Sequence, residues 1–134
     1  MANLDSVGDY MVREPVCMTM WQPLSFVRHI MLSNSFSFLP VNLGTEETPD
    51  WQLVSDVGLA TFLRRAEAKE RERLLGLNLG EAIGSGGLTL EKPFVCSSVV
   101  SVSEALAACR GLPILVVADR ERRLLGIATP FDLL

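Results

Sequence analysis

Thr129 and Asp132 are the residues whose type and spacing best suit chemistry on a ligand. They follow the apolar run Leu124-Leu125-Gly126-Ile127-Ala128, which reads as a short strand, and they stand three positions apart at a helix start. There Thr129 can accept a bond from a free backbone N–H, and Asp132 sits in the positively polarised first turn. Two roles are open to the pair. One is ligand binding, in which the corner offers its hydroxyl and carboxylate as polar groups to a ligand. The other is a helix cap alone.

Other chemistry-bearing residues are sparse. His29 is the only histidine and has no Cys or acid at metal-ligand spacing, so no metal is expected. Gly84-Ser85-Gly86-Gly87 lacks the Gly-Lys-Ser/Thr that completes a phosphate loop and reads as a slack linker. Cys17, Cys96 and Cys109 are odd in number and lie in apolar surroundings. They read as reduced core thiols rather than a disulfide framework, and no histidine stands by to activate them. Nothing has the pattern of a nucleophile elbow. Arg13, Arg28, His29, Arg120, Arg122 and Arg123 are candidate phosphate partners, although Arg120 to Arg123 also read as a solvated turn. The expectation is a protein that is not an enzyme and requires no cofactor.

Positioning a ligand corner needs a core, and 134 residues allow one compact domain or two small halves that share one. A 49% hydrophobic content and a mean hydropathy of +0.30 are high for a free-standing soluble protein. No apolar run approaches the roughly 20 residues that span a bilayer, so no membrane association is expected and the surplus points to oligomerisation. A net charge of -4 speaks against general nucleic-acid binding, which needs clustered Lys and Arg. The first residues, Met-Ala-Asn-Leu-Asp-Ser, have neither the basic start nor the apolar core of a signal peptide, and a cytoplasmic location follows as the expectation.

The elements repeat. Val7 to Pro15 is a turn or short helix running into an extended lead-in, and Val16 to Met20 reads as a strand. Pro23 suits the first turn of a helix in which Leu24, Val27, Ile30, Met31 and Asn34 share one face. Phe36 to Val41 and Trp51 to Val54 are strands. A single helix then carries the stripe Leu59, Phe62, Leu63, Ala66 and frays before Gly76. In the second half Leu79-Gly80-Glu81 echoes Val7-Gly8-Asp9, and Pro93 echoes Pro15. Phe94 to Val99 is a strand, and Ser101 or Ser103 caps a helix with Val102, Ala105, Leu106 and Cys109 on its apolar face. Leu112-Pro113-Ile114 matches Leu39-Pro40-Val41, and Val54-Ser55-x-x-Gly58 lies over Ala128-Thr129-x-x-Asp132. The fold class is therefore α/β (α+β), with two βαββα repeats over 1–76 and 77–134.

The order of these features, with Leu39-Pro40-Val41, Leu112-Pro113-Ile114 and the closing Leu-Gly-Ile-Ala-Thr-x-x-Asp-Leu, resembles a tandem pair of CBS motifs, a Bateman module. The resemblance implies a small three-stranded sheet packed against helices in each repeat, clefts between the halves that take AMP, ATP or S-adenosylmethionine as effector, and a flat homodimer formed through helical faces. It implies a ligand set in which Thr129 and Asp132 hold phosphate and ribose, while Pro113, Ile114 and Val95, with Pro40, Val41 and Cys17, wall the adenine. Core packing alone accounts for all six, and is the better reason for each taken singly. In the first repeat Ser55 keeps the hydroxyl, but Gly58 stands where the carboxylate should be, so only the second-repeat site is complete. Two functions follow: a regulatory module sensing an adenosine compound, or a dimerisation scaffold whose ligand sites have degenerated. The regulated partner protein is not named by the residues.

Overall fold

The computed structural model describes residues 5–85 and 87–134. Met1 to Leu4, on which most of the leader reading rests, and Gly86 of the glycine linker lie outside them. The mixed α/β class expected from the repeats is the one observed, and the chain forms two compact units. One unit comprises Met1–Val16, Gly44–Trp51 and Pro93–Leu134; the other comprises Cys17–Leu43 and Gln52–Lys92. The sequence repeats over 1–76 and 77–134 are thus not the spatial units, because each repeat lends its lead-in to the other.

The hydrogen bonds show this exchange position by position. In the first unit the N–H of Val7 donates to the Val100 carbonyl at 2.9 Å and that of Gly8 to Ser98 at 3.0 Å. In the second unit the N–H of Leu79 donates to Gln22 at 3.0 Å and that of Gly80 to Met20 at 2.9 Å. Isolated bridges Ser6–Ser101 and Pro23–Asn78 complete the correspondence. Both lead-ins start with the same device: Ser6 with Asp9, and Asn78 with Glu81, form reciprocal capping boxes. Val7 and Leu79, which follow the caps, are fully buried. Gly8 is needed because a Cβ there would come within 2.8 Å of the Ser98 carbonyl.

The first unit is built on a four-stranded sheet in the order β1-β6-β5-β4. Its strands are β1 (Val12–Arg13), β4 (Phe94–Cys96), β5 (Ile114–Val117) and β6 (Leu124–Ala128). β4 runs parallel to β5, as a strand-helix-strand crossover through α5 (Val102–Cys109) requires, and β5–β6 and β1–β6 are antiparallel. The sheet that was expected to have three strands gains β1 from the lead-in. β5 is buried along its whole length, and Ala105 and Cys109 of α5 join Val7, Cys96, Ile114, Val116 and Ala128 in the core.

The second unit keeps only a two-stranded sheet, β2 (Phe38–Asn42) with β3 (Trp51–Ser55). The expected strand Val16 to Met20 is reduced to one parallel bridge, Met18–Val41, and Leu53 pairs with Glu91 through bonds of 2.8 and 2.9 Å. Along the former strand Met18 alone is buried, while Val16, Cys17 and Thr19 are exposed. Helix α1 (Leu24–Asn34) buries Leu24, Val27 and Met31 as their spacing dictates, but Pro23 is its extended N-cap rather than a first-turn residue. The single helix expected after β3 is two: α2 (Asp56–Arg64) and α3 (Ala68–Leu75), followed by α4 (Leu79–Gly84). The break lets Leu74 and Leu75 return to the core beside Leu59, Phe62 and Leu63. A continuous helix would have carried Leu74 about 15 Å beyond Arg64.

Candidate functional site

In the first unit β6 delivers Thr129 and Asp132 into a four-residue 3-10 turn, Pro130–Leu133, with Thr129 as its extended N-cap. The N–H of Thr129 donates to Oδ2 of Asp132 at 2.9 Å and the Thr129 hydroxyl donates to the same oxygen at 3.0 Å. The N–H of Asp132 returns to Thr129 Oγ1 at 3.4 Å. The pair therefore forms a reciprocal capping box, the same device that starts both lead-ins. This geometry limits what the residues can offer a ligand. The single hydroxyl proton of Thr129 is already placed, so a bond from it to phosphate requires the proton to turn away from Asp132. Asp132 is different: both bonds end on Oδ2, and Oδ1 accepts none among the described residues. Both side chains are half-buried, so Oδ1 is not lost to the core.

The same unit holds Val95, Pro113 and Ile114. Val95 on β4 is half-buried, whereas Pro113 and Ile114 are buried, and Ile114 at 0% exposure has its side chain in the core rather than on a wall. β4 and β6 flank β5 on its two sides, with Val95 paired to Leu115 and Ile114 to Ala128. Of the residues expected to wall an adenine, Val95 is the one in this unit that keeps accessible surface.

Pro40, Val41, Cys17 and Ser55 belong to the second unit. Pro40 and Val41 are buried, and the Pro40 carbonyl accepts from Met18 N–H at 2.8 Å. Cys17, expected in the core or on a wall, is exposed, because only the Met18 side of that segment faces inward. Ser55 is a buried N-cap of α2 that accepts from the N–H of Gly58 at 2.9 Å. The place a carboxylate would take at Gly58 is filled by the chain itself. A Cβ there would meet the Thr89 carbonyl at 2.9 Å and Ser55 Oγ at 3.0 Å. Thr89 belongs to the stretch pinned to β3 by the Leu53–Glu91 bonds, which explains the missing acid.

The candidate cations are exposed. Arg123 pairs with Glu121 at 3.5 Å on the surface, His29 Nε2 lies 3.4 Å from Ser33 Oγ, and the Arg122 carbonyl accepts from Trp51 Nε1 at 2.9 Å. All three cysteines are free, with Cys96 and Cys109 buried. Burial, with a smaller contribution from the Glu104 carboxylate, pushes the Cys96 thiol up to about 11. Among the described residues no group of three or more His, Cys, Asp or Glu side chains could hold a metal, and no helix is long and apolar enough to cross a membrane. The two capping boxes of the lead-ins lie outside the residues expected to matter, although Ser6-x-x-Asp9 and Asn78-x-x-Glu81 carry the pattern in the sequence.

No protein-family profile matches the chain, and no curated protein does. Solved structures do match. AcuB of Vibrio cholerae, assigned to acetoin utilization, aligns over 98% of this chain and 88% of its own at 18% identity, with a TM-score of 0.73. CBSX2 of Arabidopsis thaliana, a CBS-pair protein, aligns over 98% and 92% at 18% identity and 0.69. A complex of CBSX2 with AMP aligns over 96% and 93% at 20% identity and 0.65. CbpB in complex with c-di-AMP aligns over 97% and 82% at 13% identity and 0.67. The fold of this chain is that of a CBS pair.

Proposed function

From a chain with the CBS-pair fold, we infer a non-catalytic regulatory module that senses an adenosine-containing ligand, with AMP, ATP and S-adenosylmethionine as the compounds to try. The observation that carries the reading is Oδ1 of Asp132, which accepts no bond among the described residues, at a half-buried corner. A vicinal diol offers two donors to one carboxylate, and the bonds would be charge-assisted. The capping box supports this role, since Thr129 fixes Oδ2 and so holds the carboxylate in one orientation before a ligand arrives. Thr129 is then chiefly a positioning residue, and Val95 supplies apolar surface for a base. That CBSX2 is seen with AMP and CbpB with c-di-AMP supports an adenosine compound as the ligand class. Regulation follows if the ligand binds one conformation of the module better than another and shifts the population. A cytoplasmic location and a homodimer complete the reading.

A scaffold without ligand is the second reading, favoured by the use of the same capping box at Ser6 and Asn78, where no ligand role is proposed. Calorimetric titration of AMP, ATP and S-adenosylmethionine into the parent protein separates the two. Asp132→Ala is expected to weaken binding by roughly one to two decades, as loss of hydrogen bonds to a charged group does, while Ser55→Ala changes it little. Melting temperatures taken alongside show whether the capping loss has unfolded the corner. No heat from any ligand with the parent supports the scaffold, and equal affinity in a folded Asp132→Ala protein makes the carboxylate a cap only.

A further inference from the structure

The arm of residues 5–13 is seated on chain that lies some ninety positions or more further along the sequence. The Asp5 carbonyl accepts from the N–H of Val102 at 2.9 Å, and the N–H groups of Val7 and Gly8 donate to Val100 and Ser98. Val12 and Arg13 pair with Ile127 and Gly126 on β6, and the N–H of Glu14 reaches the Leu125 carbonyl at 3.3 Å. Val7, fully buried, joins the core cluster of Cys96, Ala105, Cys109 and Ile114. At Cys17 the chain passes into the other unit. The joint between arm and unit, Glu14 to Val16, has a different character. Glu14 and Val16 are exposed and Pro15 is half-buried. Glu14 holds a φ of 52°, in the left-handed region that residues other than glycine disfavour, and the Pro15 ring favours an extended residue before it. A strained residue thus stands where a well-bonded arm meets a loosely packed joint.

Strain at a short joint is relieved when the joint straightens, and three extended residues span roughly 10 Å, enough to carry the arm off its own seat. The same seat exists on every copy of the chain. We propose that the arm of residues 5–13 exchanges between two copies of this protein, pivoting at Glu14–Pro15, so that the β6 edge of each copy is completed by β1 of the other. The contacts of the arm are the same in both forms, because the two seats are identical. What separates the forms is the joint, where an extended Glu14 favours exchange, against the freedom lost on pairing two chains. β6 also delivers Thr129 and Asp132, so the exchanged form backs that corner with a strand from the second copy. The exchange depends neither on a ligand nor on which outer faces of two copies meet.

The experiment uses two versions of the full chain, both with Cys17→Ser, one carrying Val12→Cys and the other Ile127→Cys. These positions are register partners across β1 and β6, so a disulfide between the two versions reports an arm seated in the other chain. The versions are mixed in urea, refolded together at high concentration, oxidised and separated by non-reducing electrophoresis. A covalent dimer of the two versions is expected. Glu14→Gly in both, which makes the left-handed φ costless, is expected to lower its yield by at least roughly threefold. A chain carrying both cysteines is expected to bridge partly at the mass of two chains. If that chain bridges only within itself and the two versions never join, the proposal is overturned. It is equally overturned by a yield that Glu14→Gly leaves unchanged, or by either version bridging to itself as well as to the other, which would place the contact on outer surfaces. The parent supplies a reading that needs no bridge: its dimer, isolated by size after concentrated refolding, is expected to persist on dilution until the protein is unfolded, and a dimer that is absent or separates on mixing overturns the exchange.

Discussion

At the scale of single residues, burial separates three cysteines of the same type into two behaviours. Cys17 is exposed, and Cys96 and Cys109 are buried, so a thiol reagent added to the folded protein should modify one equivalent quickly and two more only on unfolding. Cys96 also confers a pH dependence whose sign can be worked out. Its thiol is held up near 11 in the folded state against an ordinary value of 9.0, so the native protein retains that proton longer than the unfolded chain. Its stabilising contribution is complete below pH 9 and is lost as the pH climbs from 9 to 11. Urea midpoints measured across that window should fall less steeply in Cys96→Ala than in the parent, once the offset at neutral pH is subtracted. Free thiols were legible in the sequence from their odd number and apolar neighbours. The exposure of Cys17 was not, because it depends on a strand that the second unit reduces to one bridge at Met18.

At the scale of elements, Gly58 sets local preference against packing. Read along the chain, Gly58→Asp looks favourable: a carboxylate in the first turn of α2 gains about 0.3 to 1 kcal/mol from the helix dipole, and replacing glycine within a helix adds a few tenths more. The Thr89 carbonyl, 2.9 Å from the would-be Cβ, reverses the sign. Moving that backbone strains the Leu53–Glu91 bonds, and overpacking of this kind typically costs about 1 to 3 kcal/mol. Gly58→Asp should therefore lower the urea unfolding free energy and should not create a second nucleotide site in calorimetry. Regular periodicity made α1 legible, since Leu24, Val27 and Met31 need only a 3.6-residue repeat to share a face. The break between α2 and α3 was not, because Arg65-Ala66-Glu67 contains no proline or glycine and Glu67 caps α3 without a side-chain bond. There the demand of Leu74 and Leu75 for the core overrides helix propensity. Likewise Thr129-x-x-Asp132 announced a helix start, but which carboxylate oxygen stays unengaged is a matter of three-dimensional geometry.

At the scale of the whole molecule, several large apolar side chains remain on the surface of one chain, among them Leu106 on α5 and Phe131 at 79% exposure. A like copy of the chain would cover such side chains. Sedimentation at micromolar concentration should give a homodimer, and Leu106→Glu with Phe131→Glu should shift it towards monomer without lowering helix content; a parent that sediments only as monomer removes the dimer. The repeat itself was legible because Leu-Pro-Val, Leu-Pro-Ile and the two lead-ins recur in order. Which half each lead-in packs against was not, since Val7 and Leu79 are both plain apolar residues and their type names no half. That exchange governs how the protein can be made. As the chain leaves the ribosome, the unit built from Cys17–Leu43 and Gln52–Lys92 cannot close until Lys92 has emerged, while Asp5 to Val16 wait for a sheet encoded only after Pro93. Synthesis therefore passes through a stage in which the β1 edge and the Val7 side chain have no partner, and such long-range closure is slow relative to local helix formation. Nascent chains stalled short of β6 should be the form most in need of a chaperone.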